Sequence, residues 1–377
     1  MTTVRTVHAL NFLRKYVINS VLFFTPLYFI SLGWTGWRTG LAVSAFAFAP
    51  ILVSFPTGLV NDRFAIKGVI RSAVLAQAAI IAALAWTRTF PLAVVLFLLL
   101  GVTNNALDVS VNSLYYKDET RIDQNRKYGL FAFWMAFGMS VGVLASGALS
   151  QVSGFRAVYL VDAFVLLAGL FFLRRLDHEK FEAVPLRAYG RSLARPKTFF
   201  FSVFVVVLAL HWGLETTIYS PFLRSYFGLS DLKLALYITI PFLCLALTAL
   251  VFSRLRFDEA LNRRLVPLAM LMSGLGLILM VRPNVYVSLA FRVLHEVGDG
   301  LLAALVVLYI SRLFERRTIG GSAGLLLALQ VGGHACGALL FSSLGARAGL
   351  PAAFYAAGAI LVANALFGYV IFARQQY

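Results

Sequence analysis

The sequence is poor in charge, poorer still in acidic residues, and almost without cysteine. Charged residues make up 13% of the 377 positions, about half the fraction found in a soluble domain, so a soluble globular protein is excluded. Lys and Arg number 33, whereas Asp and Glu number 16. Of the 2 cysteines, Cys244 and Cys336, both lie in apolar stretches. This argues against a disulfide framework, and no ligand spacing indicates a metal site or a bound cofactor.

Hydrophobic residues make up 60% of the sequence. They form long runs of about the 17–25 residues that a helix needs to cross the hydrocarbon core. These runs predict an all-α membrane protein rather than a β-barrel. The first run is expected to be a retained helix, because no small-residue cleavage site follows it. The twelve predicted segments are 8–31, 38–57, 68–86, 91–114, 128–151, 155–174, 198–223, 231–253, 264–282, 284–311, 319–344 and 350–373.

The basic residues mark one side of the membrane. With the N-terminus placed in the cytoplasm, most Lys and Arg residues fall in cytoplasmic gaps, as the positive-inside rule requires. This predicts a multi-pass protein of the cell membrane, inner or plasma, with both termini cytoplasmic. It also explains the net charge of +17 without a nucleic-acid partner. The gap at 175–197 is polar and basic, and we interpret it as a cytoplasmic linker between residues 1–174 and 198–377.

Segment ten carries a dense group of ionisable residues. Arg292, His295, Glu296 and Asp299 lie at helical spacing and share one face. A charge at the bilayer centre costs roughly 2.5–3.5 kcal/mol on insertion scales. The group is therefore either a self-neutralised structural cluster, with Arg292 paired to Glu296, or the lining of a water-filled site. Ionisable residues inside a membrane favour the second interpretation.

A pattern of glycines indicates an internal repeat. Four glycines in segments five and six recur 195 positions later in segments eleven and twelve. They pair as Gly129 with Gly324, Gly138 with Gly333, Gly142 with Gly337, and Gly154 with Gly349. The six segments between the copies give both copies the same orientation. Parallel repeats of this kind are one architecture of secondary transporters, and the glycines themselves are expected to allow close helix packing.

The gap between segments two and three reads Gly58-Leu-Val-Asn-Asp62-Arg63-Phe-Ala-Ile-Lys67. It resembles the signature loop of the major facilitator superfamily, in which a glycine and three residues precede Asp-Arg and a basic cluster. The matching residues are Gly58, Asp62, Arg63 and Lys67. Ala65 replaces the second glycine of the pattern, and Ile66 replaces an arginine.

A second likeness lies in segment four, where Asp108 and Asn112 resemble the Asp-x-x-x-Asn pattern of several sugar and metabolite branches of that superfamily. The resemblance implies a monomer of two pseudo-symmetric six-helix bundles. These would rock about a central cavity lined by segments one, four, seven and ten. It also implies that Asp62 anchors a cytoplasmic gate, through a neighbouring helix end and the loop arginines.

Mid-helix polar residues concentrate in the same four segments. The candidate substrate-binding residues are Asn19, Asn104, Asn105, Asp108, Asn112 and His211. For any one asparagine the alternative is a hydrogen bond between helices, worth about 1 kcal/mol or less. For Asp108 the alternative is a structural ion pair with Arg14 or Lys15. We interpret Asp162 in segment six and His334 in segment eleven as structural residues.

Proton coupling requires ionisable groups whose protonation changes with solvent access. We predict this role for Glu215, Glu296, Asp299, His295 and Arg292, with Glu296 or Glu215 carrying the proton and Arg292 competing for it. The predicted function is symport of protons with a small polar organic solute by alternating access. The alternative is a proton antiporter that exports drugs or other lipophilic or cationic compounds. No nucleophile motif or catalytic domain indicates an enzyme.

Overall fold

The computed structural model describes residues 2–34, 36–118, 123–174, 176, 185, 189, 195–255 and 258–374. These residues form helices and contribute no strand, which confirms the predicted all-α architecture. A π-helical turn, Glu215–Tyr219, joins α6 to α7. The helices are α1 (Thr2–Ser31), α2 (Gly36–Arg63), α3 (Ile66–Leu84), α4 (Phe90–Lys117), α5 (Gln124–Leu173), α6 (Pro196–Leu214), α7 (Ser220–Phe227), α8 (Asp231–Arg254), α9 (Glu259–Leu279), α10 (Val285–Leu313), α11 (Ile319–Ala348) and α12 (Leu350–Arg374).

Local sequence signals set several helix ends. Pro196 opens α6, where a proline costs no intrahelical hydrogen bond. The Asp258 side chain caps α9 by accepting a hydrogen bond from the Leu261 N–H at 2.7 Å. Gly228 ends α7 in the left-handed conformation, at φ 64°. Because the capped polar turn after Asp258 is also helical, α9 begins at Glu259, before the predicted apolar segment 264–282.

Nine helical spans in the described part of the chain are long and apolar enough to cross a membrane, by length and composition. One of them is α5, which is 50 residues long and covers predicted segments five and six. The helices α1 and α9, which contain pairs of basic residues, are not among the nine. The chain is therefore a multi-pass membrane protein, whereas the count of twelve segments stays a prediction.

The helices form two compact units. Unit 1 comprises Met1–Arg121, Phe137–Ser192 and Phe314–Ala328. Unit 2 comprises Ile122–Ala136, Leu193–Leu313 and Leu329–Tyr377. Each unit is built mainly from one half of the sequence and includes the first part of one long helix, α5 or α11, from the other half. The boundaries 1–174 and 198–377 remain a prediction. Most of the predicted linker at 175–197 lies outside the described residues.

The paired glycines have the same role in both units. In unit 1, Gly142 of α5 lies directly against the Tyr16 carbonyl of α1. In unit 2, Gly337 of α11 lies directly against the Leu210 carbonyl of α6. Only a residue without a side chain lets the two backbones approach this closely. The internal repeat is therefore visible as the same helix contact, made once in each unit.

A second glycine pair of the repeat bends the chain. Gly154 inside α5 and Gly349 between α11 and α12 both have positive φ, at 74° and 88°. A side chain is strained in this conformation, so glycine is favoured at both positions. Gly154 thereby divides α5 where the sequence predicts the end of segment five and the start of segment six.

Gly337→Ala is expected to destabilise the protein by about 1–3 kcal/mol, because the added Cβ overlaps the α6 backbone. Thermal unfolding of the detergent-purified protein measures this loss. Gly332→Ala is the matched control on the same helix, since a Cβ at that position meets nothing within 4 Å. Equal unfolding temperatures for the two variants would contradict the close contact.

Candidate functional site

Unit 2 contains a group of ionisable side chains from α6, the π-helical turn and α10, which are buried except for the half-buried Glu215. We call it the unit 2 cluster; its members are His211, Glu215, Arg292, His295, Glu296 and Asp299. Helical spacing places the four residues of α10 on one side of that helix. The structure brings together all five residues predicted for proton coupling. It places His211, which was predicted to contact substrate, among them.

Arg292 lies at the centre of the unit 2 cluster and is 1% exposed. Its Nη1 donates to Glu215 Oε1 and its Nη2 to Glu296 Oε1, each at 2.5 Å. The Tyr219 ring covers the guanidinium, with Cζ 4.5 Å from the ring centroid. Burial of an unpaired cation is costly, so two carboxylates and a ring face are what stabilise Arg292 there.

The π-helical turn supplies both Glu215 and Tyr219. Single π-helical turns inside α-helices occur frequently at functional sites. The wider turn changes the direction of the side chains that follow α6, and two of them point at Arg292. The turn therefore contributes one carboxylate and one aromatic ring to the surroundings of Arg292.

His295 connects a backbone carbonyl to a carboxylate. Its Nδ1 donates to the Ser273 carbonyl at 2.8 Å, and its Nε2 lies 3.1 Å from Glu215 Oε1. The same Nε2 is 3.8 Å from Asp299 Oδ2. Because a carbonyl oxygen only accepts, Nδ1 carries a proton and Nε2 faces the carboxylates.

His211 repeats this arrangement from α6. Its Nδ1 donates to the Leu208 carbonyl, and its Nε2 lies 3.0 Å from Asp299 Oδ2. The His211 and His295 rings meet edge to face, with centroids 5.3 Å apart. Each histidine therefore has a fixed Nδ1 proton and directs Nε2 at a carboxylate oxygen.

The hydrogen bonds of the unit 2 cluster require additional protons. With every carboxyl ionised and both rings neutral, one positive charge, on Arg292, would face three negative charges. In that state each Nε2 lone pair would also face a carboxylate lone pair. One further proton in each histidine–carboxylate pair, on the ring or on the carboxyl group, makes the contact a hydrogen bond. Two such protons also bring the net charge of the cluster to zero.

The same atoms approach the spacing of metal ligands. The ligand atoms of His211, His295 and Asp299 lie within 4.8 Å of one another, as do those of Glu215, His295 and Glu296. Hydrogen bonds and the Arg292 ion pairs already join these atoms. A metal ion at this position would have to displace these bonds.

Sequence reasoning missed two neighbours of the unit 2 cluster, Tyr219 and Ser273. Tyr219 continues the four-residue spacing of His211 and Glu215, a signal that could have identified it. Ser273 on α9 gives no such signal, because it is far from His295 along the sequence. His334, which was interpreted as structural, has its Nε2 2.9 Å from Thr216 Oγ1 on the π-helical turn.

Unit 1 places Asp108 beside two cations of α1. Arg14 forms an ion pair with Asp108, and its Nη2 donates to Asn11 Oδ1 at 2.6 Å. Lys15 Nζ lies 3.5 Å from each Asp108 carboxylate oxygen. Asp108 thus makes the ion pairs of the structural alternative, although its side chain is still 19% exposed. We call Arg14, Lys15 and Asp108 the unit 1 cluster.

Two of the predicted substrate-binding asparagines make contacts within the helix packing. Asn105 accepts a hydrogen bond from Ser54 Oγ of α2 at 2.8 Å. Asn19 donates to the Lys15 carbonyl, one turn earlier on α1, at 2.8 Å. The Asn105 contact is the hydrogen bond between helices that the alternative interpretation describes, whereas the Asn19 contact lies within α1.

The other two asparagines, Asn104 and Asn112, lie one helical turn on either side of Asp108 on α4. Asn104 is 8% exposed. The Oδ1 of the half-buried Asn112 has no hydrogen-bond partner among the described residues. A buried acceptor is normally satisfied, so a donor from a bound solute would complete this face of α4.

Asp162 of α5 is a buried carboxyl group outside both clusters and is 1% exposed. Ser20 of α1 donates to its Oδ2 and also meets Ser146 Oγ of α5. Ion pairs between described residues do not include Asp162; its partner is a hydroxyl group. The site therefore needs a hydrogen-bond acceptor rather than a charge, in agreement with the structural interpretation of Asp162.

Asp162→Asn is expected to unfold at nearly the wild-type temperature, because an amide oxygen still accepts the Ser20 hydrogen bond. Asp162→Ala is expected to lower the free energy of unfolding by about 1–3 kcal/mol, since it removes the buried acceptor of the Ser20 hydrogen bond. Thermal unfolding of the two purified variants separates these outcomes. Equal destabilisation would show that the carboxylate charge itself is required.

The loop motif between α2 and α3 anchors a separate network in unit 1. The buried Asp62 carboxylate accepts hydrogen bonds from the Gly320 N–H at 3.2 Å and the Gly321 N–H at 2.7 Å, at the start of α11. Lys117 Nζ at the end of α4 lies 2.7 Å from Asp62 Oδ1. Gly58, one turn before Asp62, touches the Gly320 backbone. A carboxylate at a helix N-terminus is stabilised by the helix dipole.

The basic residues of the motif differ from their expected roles. Arg63 is exposed, and Lys67 donates to the Leu176 carbonyl at 2.8 Å. Among the described residues, the cation that pairs with Asp62 is Lys117 rather than Arg63. Lys117 ends α4 and is far from the motif along the sequence, which explains why the motif alone does not reveal it.

Tyr189, inside the predicted linker, completes the Asp62 network. Its hydroxyl group donates to Asp62 Oδ2 at 3.1 Å. Its ring packs edge to face on Phe55, with centroids 5.9 Å apart. Burial, and then the neighbouring carboxylate, raise the pKa of Tyr189. The phenol therefore keeps its proton at physiological pH and remains a donor.

Tyr189→Phe is expected to lower the free energy of unfolding by about 1.5–3 kcal/mol, because it removes a buried hydrogen bond to a charged acceptor. Thermal unfolding of the purified protein measures the loss. Tyr286→Phe provides a matched control at a tyrosine that is 79% exposed. If both variants behave like the wild type, Tyr189 does not stabilise the network.

Two comparisons with known proteins found a match, one to a protein family and one to a solved structure. The model of the family described as the Major Facilitator Superfamily matches residues 7–238 and 201–376. The crystal structure of the human organic anion transporter MFSD10 (TETRAN) is similar to this chain, with a TM-score of 0.83. At 17% sequence identity, that likeness covers 97% of this chain and 99% of the other, and it shows the fold alone. No curated protein sequence matches the chain.

Proposed function

The chain belongs to the major facilitator superfamily of membrane transporters, and from this we propose that it is a proton-coupled symporter of a small polar organic solute. Transport would occur by alternating access. We place the protein in the cell membrane, inner or plasma, as a monomer with both termini cytoplasmic. The unit 2 cluster would carry the protons, and the polar face of α4 with α1 would bind the solute.

The observation that carries the proposal is the pair of histidine–carboxylate contacts. In the contacts of His211 with Asp299 and of His295 with Glu215, the partners of the histidine Nε2 among the described residues are carboxylate oxygens. Both contacts need a proton that is not fixed to a backbone carbonyl. A buried site that is neutral only after binding protons can couple proton binding to a change of conformation, because conformations that bury it to different extents bind protons with different affinity.

Arg292 is the element that would transmit the protonation state. It bridges Glu215 on the π-helical turn and Glu296 on α10. Protonation of Glu296 would leave Arg292 held by Glu215 alone. Loss of that proton would restore both ion pairs. Proton binding would thereby weaken the connection between the π-helical turn and α10. If the two conformations of the transporter differ in proton affinity, proton binding is coupled to the change of conformation.

Other titratable groups face the unit 2 cluster from the elements packed around it. Among the described residues these are Tyr219 on the π-helical turn, Tyr237 and Cys244 on α8, and His334 on α11. None of them adds a carboxyl group. The three acids and the two histidines of the cluster are therefore the groups whose protonation we expect to change during transport.

Ligand stabilisation of the purified protein at acid and alkaline pH tests the proposal. One panel contains sugars, nucleosides and small carboxylates, and the other contains lipophilic cations and dyes. A ligand that binds the folded state raises the unfolding temperature. We expect a polar solute to stabilise the protein more strongly at acid pH. Stabilisation by a lipophilic cation that is stronger at alkaline pH would instead support the proton antiporter.

A further inference from the structure

The unit 1 cluster has more positive charge than its own carboxylate neutralises. Arg14 is 2% exposed and is held by Asp108 and by Asn11. Lys15 Nζ lies at 3.5 Å from both Asp108 oxygens, at the outer limit for a hydrogen bond, and its side chain is 21% exposed. The closer ion pair of Asp108 is therefore with Arg14, and the partly exposed Lys15 is only weakly paired.

The described residues around the unit 1 cluster do not supply the missing negative charge. The ion pairs of Arg14 and Lys15 with described residues are all made to Asp108. The nearby His8 is a neutral or positive group, and its Nε2 is 3.1 Å from Tyr115 OH. Asp162 on α5 is bound to Ser20 instead. An excess charge in a poorly solvated site is unfavourable, so one additional anion would be bound favourably.

The face of α4 next to the unit 1 cluster has an unsatisfied hydrogen-bond acceptor among the described residues. The unsatisfied Oδ1 of Asn112 needs a hydrogen-bond donor. It lies one helical turn from Asp108 on the same side of α4. A ligand that suits both positions has one anionic group and, close to it, one hydroxyl or N–H group.

From these contacts we infer that the solute is a small organic monocarboxylate with a neighbouring hydrogen-bond donor, and that Lys15 binds its carboxylate. This inference rests on the proposed function, because it names the substrate class of the same transporter. Lys15 interacts with the anion directly. Asp108 limits the positive charge of the site, which permits the anion to be released when the site opens.

The test compares carboxylates with their uncharged amides on the full-length purified protein. The probes are lactate with lactamide, glycerate with glyceramide, and pyroglutamate with its amide. At least one carboxylate is expected to raise the unfolding temperature while its amide does not. Lys15→Gln is expected to lower the affinity for that carboxylate by about tenfold or more. Lys15→Arg is expected to retain the wild-type affinity. Lys233→Gln, at an exposed lysine of α8, is the control for a change of net charge.

Three results would overturn the inference: no carboxylate stabilises the protein, the amides stabilise it equally, or Lys15→Gln binds the carboxylate as well as the wild type does. The comparison of carboxylate with amide uses the wild-type protein and does not depend on the folding of a variant. Failure of proton coupling has a different signature. Carboxylate selectivity would then persist, but its strength would not change with pH.

Discussion

Replacing Glu296 with glutamine is expected to abolish accumulation of the solute by a pH gradient, while exchange of solute at equal pH continues. Glutamine can still accept the hydrogen bond from Arg292 Nη2, but it can neither take up nor release the proton. Glu215→Gln is expected to have the same effect. Coupling free energies of about 1–3 kcal/mol correspond to about a 5–150-fold loss of accumulation. Uptake and counterflow in proteoliposomes measure the two quantities separately.

The control for this prediction is Glu259→Gln, which neutralises a glutamate of α9 outside the unit 2 cluster. It is expected to accumulate solute normally. Normal pH-driven accumulation in both Glu296→Gln and Glu215→Gln would contradict the assignment of the proton carrier. Loss of exchange as well as accumulation would show that these carboxylates bind the solute or support the fold instead.

Replacing Asp62 with alanine is expected to destabilise the protein by about 3–5 kcal/mol, because it leaves the buried Lys117 without its counter-charge. The same change removes the acceptor of the Gly320 and Gly321 N–H groups at the start of α11. Thermal unfolding of the purified protein measures the loss. Asp62→Asn separates the two causes, because an amide can keep one of these hydrogen bonds but cannot pair with Lys117.

Asp258→Ala is a control for a carboxylate that caps a helix at an exposed position. Asp258→Ala is expected to lower the free energy of unfolding by about 1 kcal/mol. If Asp62→Ala cost no more than Asp258→Ala, the ion pair with Lys117 would not stabilise unit 1. Asp62 would then act only as a helix cap.

The sequence predicted the helices and the main ionisable group well, because both depend on local spacing. Arg292, His295, Glu296 and Asp299 share one side of α10 through helical periodicity alone. His211 and Glu215 are four residues apart for the same reason. Their contact with α10 also followed the family pattern, in which segments seven and ten line one cavity.

The contacts that the sequence did not reveal are those between distant positions. Lys117 and Tyr189 reach Asp62 from other parts of unit 1, and neither belongs to the loop motif. The π-helical turn Glu215–Tyr219 departs from regular α-helical spacing, and sequence periodicity does not predict such a departure. Asn105 and Asn19 have the expected residue type, yet tertiary packing directs them into hydrogen bonds within and between helices.

The most direct test of proton coupling is the pH inside proteoliposomes when a gradient of solute alone is imposed. The interior contains a pH-sensitive dye, and the pH is initially equal on both sides. With wild-type protein, solute entering down its gradient is predicted to acidify the interior, and Glu296→Gln is predicted to move solute without this change. Solute entry without acidification by the wild type, or with alkalinisation, would contradict proton symport through the unit 2 cluster.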